Sequence, residues 1–338
     1  MEIKEQFNIK ALNTFGINVD AKYFTEVASI KELQEAIEFS ERLNLSSLIL
    51  GGGSNLLFTQ DFNGLVIKIK LEGKSFLKEE DQHVFIKAFA GENWDDFVNF
   101  CCESGYYGLE NLSLIPGNVG ASPIQNIGAY GVELKDYFYE LEFYEYSTRK
   151  VKIFDNSDCN FGYRYSIFKG DLKQKGVVLS VSFKLDKVPK FRTDYGAINE
   201  ELENMGVVDL QATDIRNAVI NIRRRKLPDP VEIGNAGSFF KNPVISSEKY
   251  SELSYQFPNL VAFNQNNGTH KLAAGWLIDQ CGWKGYRKGD SGIHTKQALV
   301  LVNYSNASGK VIYELSEKIK NSVIEKFGVI LEREVNVI

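Results

Sequence analysis

The segment Gly162-Tyr163-Arg164-Tyr165-Ser166-Ile167-Phe168-Lys169 sets one arginine among aromatic residues. A guanidinium held that way is partly desolvated and offers a rigid fork to a carboxylate. A surface arginine beside core aromatics is the plainer alternative. Ser238 lies in a turn of small residues, Gly234-Asn235-Ala236-Gly237-Ser238-Phe239-Phe240-Lys241-Asn242-Pro243, behind the basic run Arg223-Arg224-Arg225-Lys226. No histidine is near it in sequence and the Gly-x-Ser-x-Gly elbow is absent, which weakens a Ser–His–Asp hydrolase reading. Its hydroxyl is instead available as a donor or acid, and Lys226 for a phosphate or carboxylate. In Leu331-Glu332-Arg333-Glu334-Val335, strand alternation puts Glu332 and Glu334 on one face and Arg333 on the other. That is either a carboxylate placed for chemistry or the paired charges of an exposed edge strand.

Two glycine-rich segments have a different chemistry. Gly51-Gly52-Gly53-Ser54-Asn55 follows a short apolar strand, and three glycines let successive N–H groups form a nest for phosphate. The same residues would also serve as a plain strand-ending turn. No Gly-Lys-Ser/Thr follows, and the helix and acid of a Rossmann fingerprint are not evident. The stretch Ile115-Pro116-Gly117-Asn118-Val119-Gly120-Ala121-Ser122-Pro123-Ile124-Gln125-Asn126-Ile127-Gly128-Ala129-Tyr130-Gly131 contains no charged residue. Glycines, prolines, Ser122, Gln125 and Asn126 alternate there with small apolar residues, a stiff surface suited to a large flat ligand carrying phosphates. Together the two segments suggest a pyrophosphate held between two elements.

Composition narrows the class. The 338 residues include 39 Lys plus Arg against 44 Asp plus Glu, a net charge of −5, too balanced for a nucleic-acid footprint. No apolar run reaches the ~18 residues of a membrane span, and the amino terminus lacks a signal-peptide layout. The expectation is a soluble cytoplasmic protein with no nucleic-acid or membrane partner. Cys101, Cys102, Cys159 and Cys281 show no regular spacing and read as reduced, mostly buried thiols. His83, His270 and His294 are too few and too scattered for a metal site.

The elements that must position these residues alternate between helix and strand. Ser29 and Glu32 form a capping box for a helix that Asn44 closes, followed by strands at Ser47–Leu50 and Leu65–Leu71. Val84–Ala90 reads as a strand, and Trp94, Phe97, Val98 and Cys101 as a helical stripe ended by Gly105. The long stretch from Gly105 to Gly131 has little periodicity, and such a loop in a compact domain is usually functional. A hairpin of Tyr137–Tyr146 and Val151–Phe154 precedes a strand at Val177–Leu185. Helices are expected at Asp214–Arg225, at Lys271–Cys281 and through Ile312, Leu315, Ile319 and Val323. Strands are expected at Ala298–Val302 and Val329–Ile338.

These motifs, with Asn13-Thr14-Phe15-Gly16-Ile17 and His294–Asn303, occur together in the order found in one family. Over nearly its whole length the chain resembles the UDP-N-acetylenolpyruvoylglucosamine reductases, flavoenzymes of peptidoglycan precursor synthesis. The resemblance implies an α+β, FAD-binding fold of the vanillyl-alcohol-oxidase type, with two α/β subdomains and an α/β substrate-binding domain. The expected divisions are 1–72 completed by the terminal strand 328–338, then 73–212, then 213–327. Phe191-Arg192-Thr193-Asp194-Tyr195-Gly196 looks like the tyrosine loop of the family's longer form. The one visible departure is that the chain stops at Ile338, where relatives usually continue for a few residues.

Residue by residue, Arg164 matches the family's catalytic arginine, Ser238 its proton donor and Glu334 its catalytic carboxylate. Gly51, Gly52, Gly53, Ser54 and Asn55 match cofactor contacts, as do Ile115, Pro116, Gly117, Gly120, Ser122, Asn126 and Gly128. Tyr195, Lys226, Asn242 and Gln297 match substrate contacts. The resemblance implies non-covalent FAD, NADPH as reductant, a monomer, and a small-molecule substrate, UDP-N-acetylglucosamine enolpyruvate. Arg164 would hold the carboxylate as charge develops on it. Glu334 would act there as a hydrogen-bonding partner, since a charged glutamate would repel it. Ser238 would protonate the neighbouring carbon. The rivals are an FAD-linked oxidase of the same fold and a nucleotide-sugar-binding module without turnover.

Overall fold

The computed structural model describes residues 1–195, 197–265 and 267–338. Gly196, last residue of the expected tyrosine loop, therefore lies outside the described residues. Contacts divide the chain into two units. One comprises Met1–Phe7, Ala21–Gly52 and Asn63–Arg225; the other comprises Asn8–Asp20, Gly53–Phe62 and Lys226–Ile338. These borders differ from the three-part division expected from the sequence. Residues 8–20 and 53–62 of the expected first part belong with the carboxyl-terminal half, and residues 213–225 belong with the preceding segment.

Within the first unit, helix α1 (Ile30–Arg42) starts where Ser29 accepts the Glu32 N–H at 3.2 Å. The Glu32 carboxylate accepts from Ala28, one residue earlier than a capping box has it. Asn44 then takes a left-handed φ of 50°, as its place at the helix end suggests. The strand Ser46–Leu50 leads into the glycine turn and pairs in parallel with Phe62–Ile69. The second sheet has five antiparallel strands, ordered Lys150–Asp155, Phe138–Glu145, Gly176–Asp186, His83–Phe89 and Lys74–Glu79. Its apolar face buries Val84, Ile86, Leu141, Val181 and Phe183 against Trp94, Phe97, Val98 and Cys101 of helix α2 (Trp94–Glu103). The Gly105–Gly131 stretch has only short 3₁₀ turns and the two-residue strand Gly128–Ala129, as its lack of periodicity predicts. Helices α3 (Ile198–Asn204) and α4 (Ala212–Lys226) share a small core of Ile198, Leu202, Ile215, Val219 and Ile222. Arg216 of α4 forks onto the Asp95 carboxylate at 2.6 and 3.0 Å and reaches Asn99 at 2.8 Å, which ties α4 to α2. That tie is the physical reason residues 213–225 join the first unit.

In the second unit, four short antiparallel strands run in the order Gly234–Asn235, Leu301–Asn303, Ser291–Ile293 and Arg287–Lys288. A three-stranded sheet, Val244–Ser246, Thr269–Leu272 and Ala262–Asn264, accompanies α5 (Ser247–Gln256) and α6 (Ala274–Gln280). The expected helix at Lys271–Cys281 starts late because Lys271 and Leu272 pair with Val244 and Ala262 instead. Helix α7 (Gly309–Phe327) buries Ile312, Leu315, Ile319 and Val323, the stripe read from the sequence, together with Phe327, and ends at Gly328 with φ 62°. The strand expected at Ala298–Val302 shrinks to Leu301–Asn303. That expected at Val329–Ile338 survives only at Asn336–Val337, because the chain changes partners along its length. Glu332 and Glu334 bond to Lys241 and Phe239, whereas Asn336–Val337 pairs in parallel with Leu56–Leu57. The carboxyl terminus thus does pair with a strand from the first 72 residues.

All four cysteines are free thiols; Cys101, Cys102 and Cys159 are buried and Cys281 is half-buried. No helix among the described residues is long and apolar enough to cross a membrane.

Candidate active site

The two glycine-rich segments meet. An added Cβ on Gly52 would lie 2.7 Å from the Gly117 Cα, and one on Gly51 would lie 3.7 Å from the Asn118 Cβ. Only two residues lacking side chains let the backbones come this close. Gly120 is held as tightly, with a Cβ there falling 2.5 Å from Ala90. The loop is pinned from below by backbone bonds from Trp94 to Gly117, Val119 to Glu92 and Gly120 to Ala90. A cradle of this kind fits a pyrophosphate: two backbones in near contact, glycine-lined, with no carboxylate among their residues. In the second unit, Gly53 has a φ of 66°, and a Cβ there would lie 2.0 Å from the Leu12 carbonyl oxygen.

Not every expected cofactor contact points outward. Ser122 and Asn126 are buried, and their side chains brace the loop from within. Ser122 Oγ donates to the Val119 carbonyl at 2.7 Å. The Asn126 amide nitrogen donates to Glu133 and to the Gly162 carbonyl, and its oxygen accepts from the Lys135 N–H. Asn126 itself has a φ of 45°. Two residues that did not stand out in the sequence support the same turn. Asn118 donates to the Gly91 carbonyl, and the Lys68 ammonium donates to the carbonyl of Gly51. Burial lowers the Lys68 pKa, with Lys70 adding to the effect. A lysine inside the apolar run Leu65-Val66-Ile67-Lys68-Ile69 was the available signal.

Arg164 occupies the tip of a tight turn closed by mutual backbone bonds between Gly162 and Tyr165 at 3.0 and 3.2 Å. Its φ of 52° is left-handed, a conformation that non-glycine residues adopt at a cost and that clusters at functional sites. One guanidinium nitrogen donates to the Gly128 carbonyl at 2.8 Å, and the guanidinium carbon stands 5.5 Å from the Tyr163 ring centre. A Cβ on Gly128 would come within 3.2 Å of the guanidinium. So the structure links the arginine directly to the end of the Ile115–Gly131 loop. Tyr195 is half exposed and packs its Cβ against Gly131, where an added Cβ would be 3.3 Å away.

Ser238 and Glu334 belong to the second unit. Asn235 shapes the turn before Ser238 by donating to the Pro228 and Ile233 carbonyls while its oxygen accepts the Gly237 N–H at 2.9 Å. Ser238 is exposed, and the buried rings of Phe239 and Phe240 anchor the chain immediately after it. Phe239 donates to the Leu299 carbonyl and accepts from the Glu334 N–H at 2.9 Å. The Asn55 amide donates to the Glu334 carbonyl at 3.2 Å. Asn55, Glu334 and the residue after Ser238 are thereby joined by two hydrogen bonds.

The expected substrate contacts divide. Asn242 Oδ1 accepts the Ala274 N–H at 2.9 Å, starting α6. Gln297 Oε1 would be 2.9 Å from a Cβ on Gly275, so these two amides gather at the start of α6. Lys226 is exposed at the end of α4.

Comparison with known proteins agrees with this geometry. The sequence model for the UDP-N-acetylenolpyruvoylglucosamine reductase C-terminal domain matches residues 229–338, and one for an FAD binding domain matches residues 21–148. The chain is 47% identical to the UDP-N-acetylenolpyruvoylglucosamine reductase of Flavobacterium johnsoniae and 48% identical to that of Amoebophilus asiaticus, each over the full length of both chains. The crystal structure of the Thermus caldophilus reductase superposes with a TM-score of 0.66 at 25% identity, covering 99% of this chain and 98% of that one. The FAD-binding α+β fold that the resemblance implied is thus borne out. With this identity sustained from end to end, the chain belongs to the UDP-N-acetylenolpyruvoylglucosamine reductase family.

Proposed function

We propose that the protein reduces UDP-N-acetylglucosamine enolpyruvate to UDP-N-acetylmuramate with NADPH, using non-covalently bound FAD, in peptidoglycan precursor synthesis. One observation carries the proposal: the Ser238 turn and the Glu334 segment are hydrogen-bonded to each other in a chain 47–48% identical to named reductases. FAD would be held by the glycine cradle, through Gly51 to Asn55 and the backbone of Ile115, Pro116, Gly117, Gly120 and Gly128. When bound it supplies hydride chemistry, taking hydride from NADPH and delivering it to the enolpyruvyl methylene.

The chain's own residues then manage charge and protons. Arg164 is the bidentate partner of the enolpyruvyl carboxylate, and a fixed cation where negative charge develops is a large catalytic contribution. Its left-handed backbone and its bond to Gly128 fix the fork before substrate arrives. Glu334 completes the carboxylate's hydrogen bonding. Ser238 gives its proton to the carbon next to the carboxylate; a hydroxyl is a far stronger acid than the C–H it forms. Tyr195, Lys226, Asn242 and Gln297 hold the sugar nucleotide, Lys226 toward a phosphate. The reaction belongs in this proposal to the cytoplasm, where NADPH and nucleotide sugars are made, and to a monomer, which sedimentation tests.

An anaerobic titration decides the reaction. NADPH should bleach the flavin band, and adding the enolpyruvyl sugar nucleotide should restore it with one product per flavin. Restoration only on admitting oxygen would instead make the protein an oxidase.

A further inference from the structure

The Tyr195 segment is fastened by two residues with no part in the chemistry above. Asn111 is buried, and its amide nitrogen donates to two carbonyls, Tyr130 at 2.9 Å and Arg192 at 2.8 Å. One carbonyl belongs to the end of the Ile115–Gly131 loop and the other to the segment leading to Tyr195. Arg192 returns the connection with its side chain: Nη1 donates to the Gly131 carbonyl at 3.2 Å and to Asp136 at 2.9 Å. Upstream, Phe191 packs edge-on against Tyr107 with ring centres 5.8 Å apart. The Tyr195 Cβ then rests over Gly131, where an added Cβ would crowd it at 3.3 Å.

Asn111 is a poor choice for stability alone. Its Oδ1 is buried with no hydrogen-bond partner among the described residues, a penalty that offsets part of what its two bonds to carbonyls contribute. An amide that bridges two loops at that cost is better explained by placement than by cohesion. Arg192 is half exposed, so its bonds add little to folding but fix the path of the three residues that follow.

We propose that Asn111 and Arg192 are positioning residues that clip the Tyr195 segment to the Tyr130–Gly131 end of the glycine-rich loop, holding Tyr195 ready for the sugar nucleotide. This rests on the role given to Tyr195 above. The clip acts on substrate binding and leaves reduction of the flavin by NADPH untouched.

The test measures the dissociation constant of the enolpyruvyl sugar nucleotide for the oxidised holoenzyme, from its perturbation of the flavin spectrum. Arg192→Ala should weaken binding about fivefold, the size of one net hydrogen bond. The same change in a Tyr195→Ala background should add nothing. Both Arg192 bonds leave from one nitrogen, so Arg192→Lys should restore near-normal binding. Asn111→Leu should copy Arg192→Ala; were it to fail to fold, the Arg192 pair still decides the matter. The single-turnover rate of flavin reduction by NADPH should stay within about twofold in Arg192→Ala, a change too small for a lost hydrogen bond. Equal weakening by Arg192→Ala in the native and the Tyr195→Ala backgrounds would overturn the clip. If Tyr195→Ala itself leaves substrate binding unchanged, the role of Tyr195 fails and the clip with it. An effect of Tyr195→Ala without one of Arg192→Ala sinks the clip alone.

Discussion

Glu334 donates its backbone N–H to the carbonyl of Phe239 at 2.9 Å, and Phe239 directly follows Ser238. Two residues 96 positions apart in the numbering (334 − 238) are therefore placed by one short stretch of paired backbone rather than by flexible side-chain reach. Their backbones are paired even though Ser238 itself is exposed. The proton donor and the carboxylate of the proposed reaction should consequently be separable by mutation without disturbing the fold.

Ser238→Ala is expected to lower turnover by about 10²–10⁴-fold, the usual worth of a positioned acid. Flavin reduction by NADPH and FAD content should remain normal, because the hydroxyl is exposed and its neighbours Phe239 and Phe240 hold the backbone. Stopped-flow measurement of each half-reaction checks this, and equal damage to both halves would remove Ser238 from the proton-donor role.

Gly52→Ala should release FAD. Its new methyl would meet the Gly117 Cα at 2.7 Å, and neither backbone has a side chain that can yield. Overpacking of this kind costs about 1–3 kcal/mol, so FAD affinity should fall by about fivefold to a hundredfold. Gly16→Ala is the control. It has a left-handed φ of 63° but nothing within 4 Å of an added Cβ, so it should cost only strain and keep its FAD. Equilibrium dialysis of both variants distinguishes crowding from backbone strain.

Arg216→Gln should destabilise the first unit by about 2 kcal/mol, a buried-pair value reduced for partial exposure. Burial opposes ionisation of Asp95, but Arg216 and the Leu114 N–H outweigh it and hold the carboxyl below its ordinary value. A carboxyl depressed in the folded state stabilises above its unfolded pKa of about 4 and loses that contribution as pH falls toward the lowered folded value. The gap between wild type and variant in urea unfolding should thus be full at pH 7 and narrow below pH ~4. A constant gap down to pH ~2 would mean that the ion pair is not its source.

The thiols should be inert at neutral pH. Burial pushes Cys102 and Cys159 up to about 12 and Cys101 higher than its ordinary value, so none carries the thiolate that reacts. Burial also raises Cys281, but a side-chain hydrogen bond from Ser322 and the charge of Lys326 act against it. Disulfide-exchange labelling should modify Cys281 first and the other three only on unfolding. Rapid labelling of Cys101 or Cys159 in the native protein would contradict this burial.

Much of the local structure was legible in the sequence because its causes are local. The helical stripe from Ile312 to Val323, the hairpin around Ser147–Lys150 and the Ser29 cap depend on periodicity and near neighbours, and they appear close to where expected. The motifs also carried the family and the identity of Arg164, Ser238 and Glu334 as side chains to watch. Tertiary structure decided what depends on distant partners. Lys271 and Leu272 carry a helical pattern yet become strand because Val244 and Ala262 offer backbone pairing. Ser122 and Asn126 look like ligand contacts in a polar loop, but folding turns their side chains inward to satisfy buried carbonyls. The meeting of Gly52 with Gly117, and the clip of Asn111 and Arg192, have no periodic signature at all. They arise from backbone approach between segments far apart in the chain, and only the folded chain specifies that approach.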